Sequence, residues 1–155
     1  MENINHQLQW EVAEIKLTYT SAVKPSLRPK IVSSQDAHRI LKESWNQDTI
    51  DLYEQFKVLL TNRANKVLGI IEISSGGMAG TVTDPKLIFA AALKAGASGF
   101  LICHNHPSGN LTPSESDLFL TKKLKEGGKL LEVQLLDHII ITSESYFSFA
   151  DEGIL

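Results

Sequence analysis

The chain has 155 residues, a formal net charge of −3 and an isoelectric point near 5.9, with 43% hydrophobic and 21% charged residues. That length buries a core without staples, so one compact domain is expected, and the acidic balance speaks against a phosphate-binding surface. One cysteine rules out an internal disulfide or a Cys-x-x-C site; with no leader pattern and no apolar run near the roughly eighteen residues of a membrane span, a cytoplasmic protein is expected.

In chain order, Trp10 to Thr20 alternates enough to suggest a strand, and Lys24 to Lys30, with Pro25 and Pro29, reads as a linker. Residues 1–30 thus form a strand and linker ahead of a domain over 31–155. Ser33 to Asn46 reads as a capped helix with Ala37, Ile40, Leu41 and Trp45 inward. Strands follow at Gln55 to Thr61 and Lys66 to Ser74, joined by Asn62 to Asn65 as a hairpin. Gly76, Gly77 and Gly80 lack phosphate-loop spacing and mark a flexible turn.

Asp84-Pro85 opens a second helix that Gly96 closes, with Leu87, Ile88, Ala91 and Ala95 inward. The apolar run Ser98 to Cys103 reads as a buried central strand. Thr112 as N-cap, Pro113 as first helical residue and Glu115 as capping-box partner start a third helix, stopped near Glu126 by Gly127-Gly128. Strands near Leu131 to Thr142 and Tyr146 to Ala150 complete an α/β fold, a mixed β-sheet flanked by helices.

The chemistry gathers after the central strand. His104 and His106 flank one residue, and Asp117 follows eleven positions after the second histidine. Two imidazoles and a carboxylate are a three-ligand set with one position open, as in catalytic zinc sites. Iron or manganese suits the same donors less well. Ser114, Asp117, Leu118, Thr121 and Leu124 share a helical face, and the leucines mark it as inward. An inward aspartate without a partner is costly, and a cation removes that cost. The bland alternatives are a surface histidine pair, an ordinary Pro-Ser-Gly-Asn turn and a helix-start aspartate that merely suits the dipole.

The segment His104-x-His106-Pro107, then Ser114 and Asp117, resembles the JAMM signature of the JAB/MPN metalloproteases. The wording HNHPSG, PS..D and Leu136-Asp137-His138-Ile139-Ile140 is similar to their bacterial RadC-like branch, from about Pro29 to Leu155. The resemblance implies a three-layer, cytidine-deaminase-like α/β/α domain. It implies one zinc ion on His104, His106 and Asp117, with Ser114 helping to stabilise a tetrahedral intermediate. It also implies an upstream glutamate as general base.

Two glutamates compete for that role. Glu54 alternates with Phe56, Val58 and Leu60 on the apolar side of a strand, at its start. Partial desolvation there raises a carboxylate toward the range useful for proton transfer. Glu72, alternating with Leu68 and Ile70, is the rival; position and the family pattern favour Glu54. The implied reaction is metal-assisted hydrolysis of an amide, peptide or isopeptide bond in an unidentified peptide or protein. Asp137 and His138, polar residues in an apolar run, are either satisfied structurally or support the metal ligands.

Other readings carry less. A nucleobase deaminase needs His-x-Glu and Pro-Cys-x-x-Cys, and neither is present. RadC-like proteins bear a DNA-repair label, but the chain is acidic, and Lys122, Lys123 and Lys125 read as a solvated helix face. Longer RadC-like proteins begin with a helix-hairpin-helix region, for which the residues ahead of the first helix here are too few. A catalytically silent JAB scaffold is the remaining alternative, and exposed strand edges allow a homodimer.

Overall fold

The computed structural model of the protein describes residues 12–16, 18–77 and 82–155. Among the described residues, a short 3-10 turn at Pro25–Leu27 precedes five strands and three α-helices, α1 (Ser34–Glu43), β1 (Gln55–Thr61), β2 (Val67–Ser75), α2 (Pro85–Lys94), β3 (Gly99–Asn105), α3 (Glu115–Leu130), β4 (Gln134–Ile141) and β5 (Tyr146–Ser148). The strands form one mixed sheet in the order β2-β1-β3-β4-β5. Only β3 and β4 run parallel, with α3 as the crossover; the other neighbours are antiparallel.

Alternation along the central strands splits the core into two layers. Leu59, Leu101, Cys103, Ile139 and Ile141 pack with Ala37, Leu41 and Trp45 of the α1 region. Val58, Leu60, Phe100, Ile102 and Leu135 pack on the opposite face with Ile88 and Ala92 of α2 and Leu124 of α3. The result is the expected three-layer α/β arrangement. Because β1 and β3 are covered on both faces, every residue in them is buried, which explains their nearly continuous apolar runs.

Local chemistry sets most boundaries. Ser33 caps α1 by accepting the Asp36 N–H at 3.2 Å, and Asp84 caps α2 by accepting the Lys86 N–H at 2.9 Å, with Pro85 first in the helix. Gly96, at φ 64°, ends α2 while Ala97 N–H reaches back to the Ala92 carbonyl at 2.9 Å. In the β1–β2 hairpin, Asn62 Oδ1 accepts the N–H groups of Ala64 and Lys66, both at 3.0 Å.

Several expectations need correction. No strand forms in the described part of Trp10 to Thr20, where Val12 and Ile15 are exposed and find no sheet to join; Trp10, Glu11 and Leu17 lie outside the described residues. Leu87 and Leu118 point outward, and the buried positions of those helices are Ile88 and Ala92, and Thr121, Leu124 and Gly128. Strand β3 runs two residues past Cys103 and takes in His104 and Asn105.

The third helix differs at both ends. Its N-cap is Ser114, two residues after Thr112, and the capping box pairs Ser114 with Asp117 in place of Glu115. Gly127-Gly128 does not stop α3. A Cβ on Gly128 would collide with the Val133 carbonyl oxygen, and one on Gly127 would lie 2.9 Å from the Phe89 ring, so both glycines serve close packing. The helix ends beyond them, with Glu132 at φ 56° and Val133 N–H on the Gly128 carbonyl at 2.9 Å. No helix among the described residues is long and apolar enough to cross a membrane.

Candidate metal centre

His104 and His106 project from the end of β3 on the face covered by α2 and α3. Phe56, a residue of that layer, is the register partner of His104 on β1. His106 lies one residue beyond the strand, its N–H held by the Ile141 carbonyl at 3.0 Å. Asp117 arrives from the first turn of α3. Its Oδ2 accepts the Ser114 N–H at 2.7 Å, and its own N–H is accepted by Ser114 Oγ at 3.1 Å. The capping box therefore aims the carboxylate as it starts the helix.

The three side chains converge. His104 Nε2 and His106 Nε2 are 2.9 Å apart, and they lie 3.3 and 3.8 Å from the two Asp117 carboxylate oxygens respectively. One ligand-type atom from each residue falls within 4.8 Å of the others. His106 Nδ1 donates to the Asn110 carbonyl at 2.5 Å, which leaves the Nε2 lone pair of the neutral ring pointing into the cluster. An imidazole lone pair and a carboxylate brought together with a second imidazole make a donor set that fits a cation, so His104, His106 and Asp117 could hold a metal ion. Burial pushes the Asp117 carboxyl upward, but the neighbouring His104 ring, with Ser114, holds it well below the usual carboxylate range.

Behind His104 lies a buried polar row. His104 Nδ1 is 2.9 Å from His138 Nε2, His138 Nδ1 is 2.6 Å from Thr121 Oγ1, and Thr121 Oγ1 donates to the Asp117 carbonyl at 2.6 Å. His138 is fully buried and stacks on Phe149 at 4.3 Å. Burial, and the neighbouring His104, push its pKa well below the usual imidazole value.

Asp137 takes no part. It points to the other sheet face, where its carboxylate accepts Ser148 Oγ–H at 2.6 Å and the N–H groups of His138 and Ala150. Of the adjacent polar pair, only His138 faces the ligands.

The two glutamates separate clearly. Glu54 lies just ahead of β1, half-buried, and lines a cleft of about 290 Å³ with Phe56, Thr83, His104, Asp117 and Lys123. Glu72 sits opposite Lys57 on the far sheet face and accepts a hydrogen bond from Gln55 Nε2 at 2.8 Å. Ser114 is exposed at the helix start, its Oγ engaged as acceptor from Asp117. Cys103 is buried in the α1 layer, away from the histidines. Lys122, Lys123 and Lys125 are exposed along α3. Gly76 and Gly77 follow β2, whereas Gly80 lies outside the described residues.

Two further residues support the site: Asn105, which the spacing of the histidines did not single out, and Thr121, already expected on the inward face of the helix. Asn105, between two histidines on one face, must point to the other. There its Nδ2 donates to the Ile50 and Tyr53 carbonyls at 2.7 and 2.9 Å, and its Oδ1 accepts the Gln55 N–H at 2.7 Å. Thr121 follows Asp117 by one helical turn, so it shares that residue's inward direction.

The chain resembles known proteins over most of its length. Residues 31–154 match the family model described as the RadC-like JAB domain. A UPF0758 protein of Flavobacterium johnsoniae is 47% identical over 125 residues, covering 81% of this chain and 53% of that protein. A UPF0758 protein of Staphylococcus haemolyticus is 40% identical over 124 residues, covering 80% and 53%. One from Desulfitobacterium hafniense is 38% identical over 132 residues, covering 84% and 56%. The chain thus spans about half the length of these relatives. With the match running from the first core residue, Ile31, through the last strand, the chain belongs to the RadC-like JAB domain family.

Proposed function

We propose that the domain is a zinc-dependent hydrolase of the JAMM type, cleaving an amide bond, peptide or isopeptide, in a peptide or protein substrate. The observation that carries this reading is that Glu54, His104 and Asp117 line one cleft. A carboxylate outside the ligand cluster but beside it is what a general base requires. When bound, zinc supplies a Lewis acid for the scissile carbonyl and acidifies water at neutral pH.

The chain's own groups have distinct work in this scheme. His104, His106 and Asp117 hold the ion. Glu54 takes up the proton of the attacking water and returns it to the leaving amine. Ser114, whose Oγ accepts from Asp117 N–H, would turn its hydroxyl proton to a developing oxyanion. Phe56 and Thr83 shape the cleft wall, and Lys123 puts a positive charge at its rim. The formal net charge of −3 gives no excess of positive charge in favour of DNA as the substrate.

Elemental analysis of the purified chain, beside His104→Ala and Asp117→Ala, tests the metal. About one zinc per chain, lost in both variants while circular dichroism stays native, is the expected result. Peptide and isopeptide substrates then test the hydrolase, with Glu54→Gln expected to keep the metal and lose turnover. A folded parent that takes up no zinc when supplied overturns the reading. A metal-loaded parent as inert as Glu54→Gln on every substrate class would make the domain a scaffold.

A further inference from the structure

We propose that His138 and Thr121 are positioning residues that fix His104 in the tautomer whose Nε2 lone pair faces the metal centre. This rests on the metal reading of the preceding section. It follows from counting protons along the buried row.

Thr121 has one hydroxyl proton. Its Oγ1 lies 2.6 Å from the Asp117 carbonyl oxygen, which has no proton to offer. The hydroxyl must therefore donate there, because otherwise two oxygen lone pairs would face each other at hydrogen-bond distance. Toward His138 Nδ1, also at 2.6 Å, Thr121 can then only accept, so Nδ1 of His138 carries the hydrogen.

A second hydrogen on the His138 ring would make it a buried cation. The ring's polar neighbours are Thr121 and His104, its flank is the Phe149 ring, and among the described residues no carboxylate is hydrogen-bonded to the ring; Asp137 reaches only the backbone N–H. The Nε2 atom is therefore bare and accepts from His104 Nδ1–H at 2.9 Å. His104 is left with its Nε2 lone pair aimed at His106 and Asp117. The reverse order would put a hydrogen on His104 Nε2, where a ligand lone pair is needed.

The row also closes a loop. It starts at the backbone of one ligand, Asp117, and ends on the ring of another, His104, so the helix start and the strand end are held in one register. Oriented partners of this kind contribute about 10- to 100-fold in metal affinity.

The test uses the full chain. In metal-free, nitrogen-15-labelled protein at mildly alkaline pH, long-range proton–nitrogen correlation spectra report the hydrogen-bearing nitrogen of each imidazole. His138 in its Nδ1–H form is expected; the Nε2–H form overturns the proposal. Zinc affinity by competition with a chromophoric chelator should weaken about 10- to 100-fold in Thr121→Val and stay at the parent value in Thr121→Ser. A folded Thr121→Val with parental affinity also overturns it. A parent that binds no zinc fails on the earlier reading instead, and the His138 tautomer still decides the proton order.

Discussion

Asn105, lodged between the two candidate ligand histidines, accepts the backbone N–H of Gln55 on its side-chain oxygen at 2.7 Å. Its amide nitrogen holds the Ile50 and Tyr53 carbonyls in the same grip. The turn that delivers Glu54 is thereby tied to the residue separating His104 from His106. The distance from Glu54 to the candidate ligands thus depends on an amide side chain bonded to the backbone on either side of Glu54.

Asn105→Asp keeps the size and shape of that side chain but turns two donated hydrogen bonds into oxygen–oxygen contacts. We expect a loss of about 2–4 kcal/mol in urea unfolding, since buried carbonyls and a buried charge are left uncompensated. If the variant folds, zinc content should persist while hydrolysis falls. A change under about 0.5 kcal/mol, as for an ordinary surface site, would count against the tether.

Ligand binding to the native state should be visible as stability. At a free zinc concentration 100 times Kd, the parent gains about 2.7 kcal/mol by mass action, and a chelator removes that gain. Asp117→Asn should gain much less, because it supplies a weaker donor. Thermal unfolding with zinc and with chelator checks this; equal shifts in parent and variant would place the ion elsewhere.

Gly128→Ala should destabilise despite the better helix propensity of alanine. The added methyl group meets the Val133 carbonyl oxygen, a backbone atom that cannot swing away, for a cost of about 1–3 kcal/mol. Gly127→Ala meets only the Phe89 ring and should be milder. Urea midpoints of the pair decide the order, and the opposite ranking would mean α3 is not seated as described.

Asp137 gives a pH signature. Burial pushes its carboxyl above the usual range, only partly offset by hydrogen bonds from Ser148, Ala150 and His138. In a pKa raised by folding, the folded state holds the proton longer than the unfolded chain. The stability this group contributes is full below its unfolded pKa of about 3.9 and declines as pH rises through the folded pKa. The stability difference between parent and Asp137→Asn should therefore shrink with rising pH in that acid window. A difference that grows would reverse the assignment.

Much of this was legible in the residues. The β1 boundaries, the start and end of α2, and the His104, His106 and Asp117 cluster follow from alternation, capping chemistry and spacing. What escaped reading depends on partners distant in sequence. Thr112 and Ser114 are both competent N-caps, and only the pairing with Asp117 selects the second. The Gly127-Gly128 pair looks like a stop until Phe89 and Val133 are seen against it. The N-terminal alternation promised a strand, but a period of two does not supply a neighbour to pair with. Asp137 and His138 are equally polar and adjacent, and sheet alternation alone sends one toward the ligands and the other away.

The three candidate ligands fall within residues 104–117, on a strand end and the helix start directly after it, whereas Glu54 arrives from an earlier strand. Loop closure over so short a span costs little entropy, so the ligand cluster can assemble as soon as β3 and α3 dock. Glu54 joins only when β1 pairs with β3. Under the proposed function, metal capture and catalytic competence are then separate events on the folding path. Evolution can discard the second by altering one residue ahead of β1 while the first, with its stabilising effect, survives untouched.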